Sequence, residues 1–180
     1  MTIIYEKIAI IGVGLIGASI ALAARRAGLA ASVTGCEIDS AKAGEIEKLG
    51  LVDHVTTDAV AAVQDADLVV MAVPVGALGP LAAQIVPAMK PGAVLTDTGS
   101  TKRSVLRDVD PHISGDIHWI PSHPLAGTEH SGPAAGFAEL FDGRYWLVLP
   151  REVPEDEVVR FESFITCLLY TSDAADEQQR

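Results

Sequence analysis

The segment Gly12-Val13-Gly14-Leu15-Ile16-Gly17 constrains the fold more than any other stretch of the 180 residues, because it directly follows the apolar run Lys7-Ile8-Ala9-Ile10-Ile11. A short run that is apolar on both faces suits a buried parallel strand. Beyond the loop, Leu15, Ile16, Ser19, Ile20, Leu22 and Ala23 recur at helical spacing as far as Gly28, a C-terminal cap. Strand, G-x-G-x-x-G and helix in that order make a loop suited to receive a pyrophosphate. Gly12 permits the tight turn, Gly14 lets the backbone approach the phosphates, and Gly17 lets helix and strand pack closely. The helix N-terminus, beginning at Leu15 and Ile16, offers unpaired N–H groups and a positive dipole end. The plainer alternative is a glycine-rich turn with no ligand.

Further strands are expected over 32–36, 67–73, 93–97, 119–121 and 145–149, and helices over 15–27, 40–49, 75–89, 102–109 and 155–165. Ser40 is the candidate N-cap and Gly50 the stop of the second helix, while Gly79 and Pro80 fall in the first turns of the helix that starts at Val75. This alternation implies an α/β fold with a Rossmann-type doubly wound, mostly parallel sheet, whose ligands sit at the carboxyl ends of the strands. A net charge of −11 argues against nucleic acid or an anionic membrane surface and leaves a small molecule as the expected partner. No apolar run reaches the ~18 residues of a membrane span and the start lacks a signal peptide's pattern, so a cytoplasmic protein is expected. Cys36 and Cys167 have no framework spacing, which suits a reducing compartment and gives no metal site.

The choice between NAD and NADP should be made at the end of the second strand, where an acid accepts hydrogen bonds from the ribose hydroxyls and repels a 2′-phosphate. Glu37 lies twenty residues after Gly17; Asp39 faces the same side if the chain is extended, or else starts the following helix. No arginine occurs between Arg26 and Arg103, and Lys42 is the one nearby cation. NAD is the expected cofactor.

Two polar clusters follow strands that end at the same sheet edge: Asp97-Thr98-Gly99-Ser100-Thr101-Lys102, and Ser122-His123-Pro124-Leu125-Ala126-Gly127-Thr128-Glu129-His130-Ser131-Gly132. Polar groups gathered there are more often functional than structural. His123 has a side chain suited to acid–base work near neutral pH, against the plainer reading of a strand-end histidine. Ser100 either acts in the site or caps the helix near Thr101; Asp97 orients its loop, and Lys102 is a loop anchor or a surface charge. His54, His112, His118 and His130 receive no role.

Together with the glycine loop, these clusters resemble the prephenate and arogenate dehydrogenase (cyclohexadienyl dehydrogenase) family, with its G-x-G-L-I-G-x-S, D-x-G-S-x-K and H-P-x-A-G-x-E-x-S-G motifs. The match spans residues 5–166. The resemblance implies NAD-dependent oxidative decarboxylation of prephenate to 4-hydroxyphenylpyruvate in tyrosine biosynthesis, with arogenate as the alternative substrate. It makes His123 the catalytic histidine and Ser100 the serine that bonds the substrate hydroxyl beside the nicotinamide. Thr128 and Glu129 fall on the substrate rim, and Val73-Pro74 runs along the cofactor. It also implies a C-terminal all-helical domain, missing from this chain, that forms a homodimer and supplies cations for the substrate carboxylates. A non-catalytic NAD-binding module is the reading from another class.

Residues 167–177, Cys-Leu-Leu-Tyr-Thr-Ser-Asp-Ala-Ala-Asp-Glu, are similar residue for residue to the translation of a transposase-type sequencing adaptor. The expected organisation is a nucleotide-binding domain over 1–166 and an adaptor-derived tail over 167–180.

Overall fold

The structure, a computed structural model, describes residues 2–149 and 151–170. Along the chain run β1 (Tyr5–Ile11), α1 (Leu15–Arg26), β2 (Ala30–Cys36), α2 (Ser40–Leu49), β3 (His54–Thr56), α3 (Ala59–Val63) and β4 (Leu68–Met71). They are followed by α4 (Val75–Ile85), β5 (Val94–Asp97), α5 (Lys102–Val109), β6 (His118–Trp119), β7 (Ser122–Pro124), β8 (Trp146–Val148) and α6 (Glu155–Leu169). Six strands form one parallel sheet in the order β3-β2-β1-β4-β5-β6. The order reverses between β1 and β4, which opens a crevice at their carboxyl ends.

Each face of the sheet carries its own core. Ile8, Ile10, Leu68 and Val70 meet α1 and α6 through Ile20, Ala24, Phe161 and Phe164, whereas Ala9, Val69, Met71 and Leu95 meet α4 and α5 through Leu78, Ala82 and Val105. Consecutive β-strand residues point to opposite faces, so strands covered by helices on both sides are apolar throughout. Arg160 on α6 ties that helix to β1: its guanidinium donates to the Ile4 carbonyl at 2.8 and 2.9 Å and lies 4.3 Å over the Tyr5 ring.

Several boundaries differ from the sequence reading for local reasons. The fourth helix stops at Ile85 rather than 89, and a 3-10 turn, Val86–Ala88, replaces its end, because Pro87 has no N–H to donate back along an α-helix. The cap of α2 is Asp39, not Ser40: its carboxylate accepts from the Ala41 and Lys42 N–H groups at 2.9 and 3.3 Å. The elements β3 and α3 were not expected; both are too short for a periodic pattern, although Asp58 caps α3 by accepting from Val60 and Ala61. The strand expected at 145–149 is shorter and leaves the main sheet to pair antiparallel with β7, which was not foreseen as a strand. Helix α6 runs across position 166: Cys167, Leu168 and Leu169 are helical, Leu168 is fully buried, and the rest of the expected tail, 171–180, lies outside the described residues.

At the other end of the sheet Asp67 joins β1 to the β4–β5 layer. Its carboxylate accepts from the Lys7 N–H at 2.8 Å and from the Lys90 ammonium at 2.5 Å. Partial burial alone would raise its pKa, but the bonds from Lys90 and Lys7 outweigh it and hold the carboxyl below its ordinary 3.8. The ionised form therefore stabilises the fold above that ordinary value, and the contribution is lost as pH falls through the lower folded-state value. Asp67→Asn is expected to lower stability by about 1–2 kcal/mol at pH 7. Urea unfolding at a series of pH values should show this gap closing below pH 3.8; a gap independent of pH would refute the assignment.

Candidate functional site

The loop leaving β1 is built around contacts that exclude side chains. Gly12 has φ +91°, and a Cβ there would lie 2.7 Å from the Ala72 carbonyl oxygen at the end of β4. A Cβ on Gly17 would stand 2.1 Å from the Gly12 carbonyl oxygen, so the first turn of α1 can rest on the loop only because position 17 is bare. Gly14 differs: a Cβ there meets nothing within 4 Å, so its surroundings are open space. Gly14 is the N-cap of α1 and has no side-chain capping bond, and no acidic residue occupies the first turn. The N–H groups of Leu15, Ile16 and Gly17 are thus left for an anion at the positive end of a twelve-residue helix.

Beside this loop lies a cleft of about 730 Å³. It brings together Gly12, Gly14, Glu37, Val73 and Pro74 with Lys42, and adds Ile38, Thr57, Asp58, Ala77 and Gln84, which the sequence reading had not picked out. The Glu37 N–H donates to the Thr56 carbonyl at 3.1 Å, fixing the turn after β2 against β3. The Glu37 carboxylate accepts from the Asp39 N–H at 3.3 Å. Asp39 is committed to capping α2, which leaves Glu37 as the carboxylate that lines the cleft at this strand end. Cys36 also lines the cleft, and burial pushes its thiol up to about 11, so it stays protonated and apolar near neutral pH.

The second cluster is organised on β5 and β7. Asp97, fully buried, accepts from the Gly99 N–H at 2.8 Å and the Ser122 N–H at 3.2 Å, and forms an ion pair with the Lys102 ammonium. Lys102 also donates to the Ser122 carbonyl at 2.5 Å. It is therefore a loop anchor, with only 13% of its side chain exposed. Burial raises the Asp97 pKa and lowers that of Lys102, while the attraction between them keeps the charged pair in place. Ser122, equally buried, is a hub missed in the sequence: its hydroxyl donates to the Asp97 carbonyl at 2.9 Å, lies 2.9 Å from Thr96 Oγ1, and accepts from the Trp146 indole at 3.0 Å. A serine beside the candidate histidine was the only sign of it.

This frame presents His123, which is half-buried. Its Nδ1 lies 3.0 Å from the Thr98 carbonyl oxygen. A carbonyl can only accept, so Nδ1 carries the proton of the neutral ring and Nε2 keeps its lone pair. Ser100 is exposed in the turn after β5 and does not cap α5; the N-cap is Thr101, without a side-chain capping bond. Thr128 and Glu129 sit on an exposed loop after β7, apart from the cleft. Glu129 lies 3.5 Å from the exposed ring of His130, and Thr128 Oγ1 accepts from the His130 N–H at 3.2 Å.

Comparison with known proteins places this geometry in context. Residues 20–166 match the family described as prephenate dehydrogenase, nucleotide-binding domain; the glycine loop precedes the matched span. A cyclohexadienyl dehydrogenase from Zymomonas mobilis is 42% identical over 147 residues, covering 82% of this chain and 50% of the relative. The arogenate dehydrogenase structure from Synechocystis superposes with a TM-score of 0.83 at 26% identity, over 92% of this chain and 58% of that one. An Aquifex aeolicus prephenate dehydrogenase, solved with hydroxyphenyl propionate and NAD+, shares the fold with a TM-score of 0.81 at 24% identity, over 91% and 57% of the two chains. The chain spans about half the length of the curated relatives it matches. Among the described residues no helix is long and apolar enough to cross a membrane.

Proposed function

The chain belongs to the prephenate dehydrogenase family through its nucleotide-binding domain, and from that premise we propose that it is the cofactor half of a cytoplasmic NAD-dependent enzyme that converts prephenate to 4-hydroxyphenylpyruvate. The observation that carries the reading is His123: its Nδ1 is engaged by the carbonyl of Thr98, the residue that follows the carboxyl end of β5, which leaves a bare Nε2. NAD fits the residues present, because Gly14 leaves open space in front of uncapped N–H groups and Glu37 lines the cleft at the end of β2. When bound, it supplies the acceptor for a hydride from C4 of the substrate. The role of His123 is to take the C4 hydroxyl proton as the hydride departs and return it to the phenol oxygen once carbon dioxide is lost. Ser100 donates to the same hydroxyl and borders the nicotinamide, while Leu15 and Ile16 hold the pyrophosphate through their N–H groups. Val73 and Pro74 give apolar contact along the cofactor.

Residues 1–166 are proposed as the native domain and 167–180 as adaptor-derived. The remaining half found in the relatives would bring the cations that a dianionic substrate requires, meet Thr128 and Glu129 at the rim, and form a homodimer. Arogenate is the second candidate substrate, favoured by the likeness to the Synechocystis enzyme. The net charge of −11 repels the phosphates of nucleic acid and argues against it as a partner. A chimera joining residues 1–166 to the remaining half of the Zymomonas mobilis relative is expected to oxidise prephenate with NAD+, whereas the 180-residue chain alone binds NAD+ with little turnover. A folded chimera without prephenate turnover would contradict the reading.

Cofactor choice is testable on the isolated chain. Glu37→Ala combined with Ile38→Arg removes a carboxylate from the cleft and adds a cation at its exposed neighbour. The ratio of NAD+ to NADP+ affinity should fall roughly 10- to 100-fold. An unchanged ratio in paired titrations would remove Glu37 from the specificity site.

A further inference from the structure

The proposed reaction uses Nε2 of His123 but does not by itself explain the buried ion pair of Asp97 and Lys102. Other ion pairs among the described residues have at least one partner more than a quarter exposed, whereas here the side chains are 0% and 13% exposed. Burying such a pair is expensive and yields little net stability, so its placement calls for another explanation. Its contacts fall on three peptide groups, two of which bear on His123. The Thr98–Gly99 peptide donates its N–H to Asp97 and offers its carbonyl to His123 Nδ1. The peptide is planar and trans, so holding the N–H on one side aims the carbonyl from the other. The Ser122–His123 peptide has its carbonyl held by Lys102, while Asp97 holds the N–H of Ser122.

We propose that the buried Asp97–Lys102 pair is a positioning clamp for His123, fixing these two peptide planes so that the Thr98 carbonyl meets Nδ1 and the tautomer with a bare Nε2 is selected. This rests on the reading of His123 as the base. Neither Asp97 nor Lys102 touches the reacting atoms; both act through the histidine.

Long-range 1H–15N NMR of the His123 ring in the 180-residue chain reads the tautomer directly. With Lys102 present the neutral ring is expected to be protonated at Nδ1. In Lys102→Met the ratio of Nδ1–H to Nε2–H forms should fall roughly 10-fold, the order of one lost hydrogen-bond preference. The double variant Asp97→Asn/Lys102→Met leaves no unpaired buried charge and should fold with the same altered ratio, even if the single variant does not fold. A folded variant that keeps the original ratio overturns the clamp. So does a double variant that cannot fold, since the pair would then serve stability. In the chimera, Lys102→Met should lower kcat roughly 10-fold with the NAD+ KM unchanged. If His123→Asn leaves kcat intact, the base assignment fails; if His123→Asn abolishes turnover while the tautomer ignores Lys102, only the clamp fails.

Discussion

His123→Asn in the chimera is expected to lower kcat for prephenate by about 10²- to 10⁴-fold, the range over which a positioned general base contributes. The same substitution in the 180-residue chain should leave NAD+ affinity within about twofold, because His123 is absent from the cleft lining that Gly14 and Glu37 share. Asparagine is a close match in size, and its amide can still donate to the Thr98 carbonyl, so the frame of Asp97, Lys102 and Ser122 has no reason to collapse. What is lost is the proton acceptor at Nε2. Stopped-flow and steady-state rates, paired with an NAD+ titration, separate the two effects. Loss of NAD+ binding together with turnover would place His123 in the cofactor site instead.

The glycine loop supplies the second large effect, through a contrast between two of its positions. Gly17→Ala puts a methyl 2.1 Å from the Gly12 carbonyl oxygen, against backbone that cannot turn aside, and is expected to cost about 3 kcal/mol or more. Gly14→Ala meets nothing within 4 Å at φ −85°, and its cost should stay near 1 kcal/mol, the loss of a glycine N-cap. The methyl at position 14 nevertheless stands where a pyrophosphate must approach the backbone, so NAD+ affinity should fall roughly 10-fold or more. Thermal unfolding and NAD+ titration of both variants test the pair. Gly14→Ala with undiminished affinity would mean that the phosphates lie elsewhere.

The parts legible in the sequence are those written in adjacent residues. The run from Lys7 to Gly17 carries its strand, turn and helix within one short window, and the structure keeps all three. Asp39 was legible only as an alternative, since whether it lines the site or caps α2 depends on where the helix begins; the bonds to Ala41 and Lys42 decide it. Of the frame around His123, Asp97 as the orienter of its loop and Lys102 as an anchor or a surface charge were legible; the contact of Asp97 with Ser122 across 25 positions was not, because neither has a periodic neighbour. Nor was the antiparallel pair of β7 and β8, whose register sets His123 opposite Leu147 after a long intervening loop. Motif likeness singled out His123 and Ser100; the contacts add Lys102 as the residue that anchors the base candidate's frame.

The most direct test follows the hydrogen at C4 of the substrate. The chimera, given prephenate deuterated at C4 and unlabelled NAD+, should transfer the deuterium to the nicotinamide ring and release 4-hydroxyphenylpyruvate in equal amount. In His123→Asn the same transfer should persist at a rate about 10²- to 10⁴-fold lower. Product formed without deuterium in the dinucleotide, or label transfer at an undiminished rate in the variant, would contradict an NAD-dependent dehydrogenase whose base is His123.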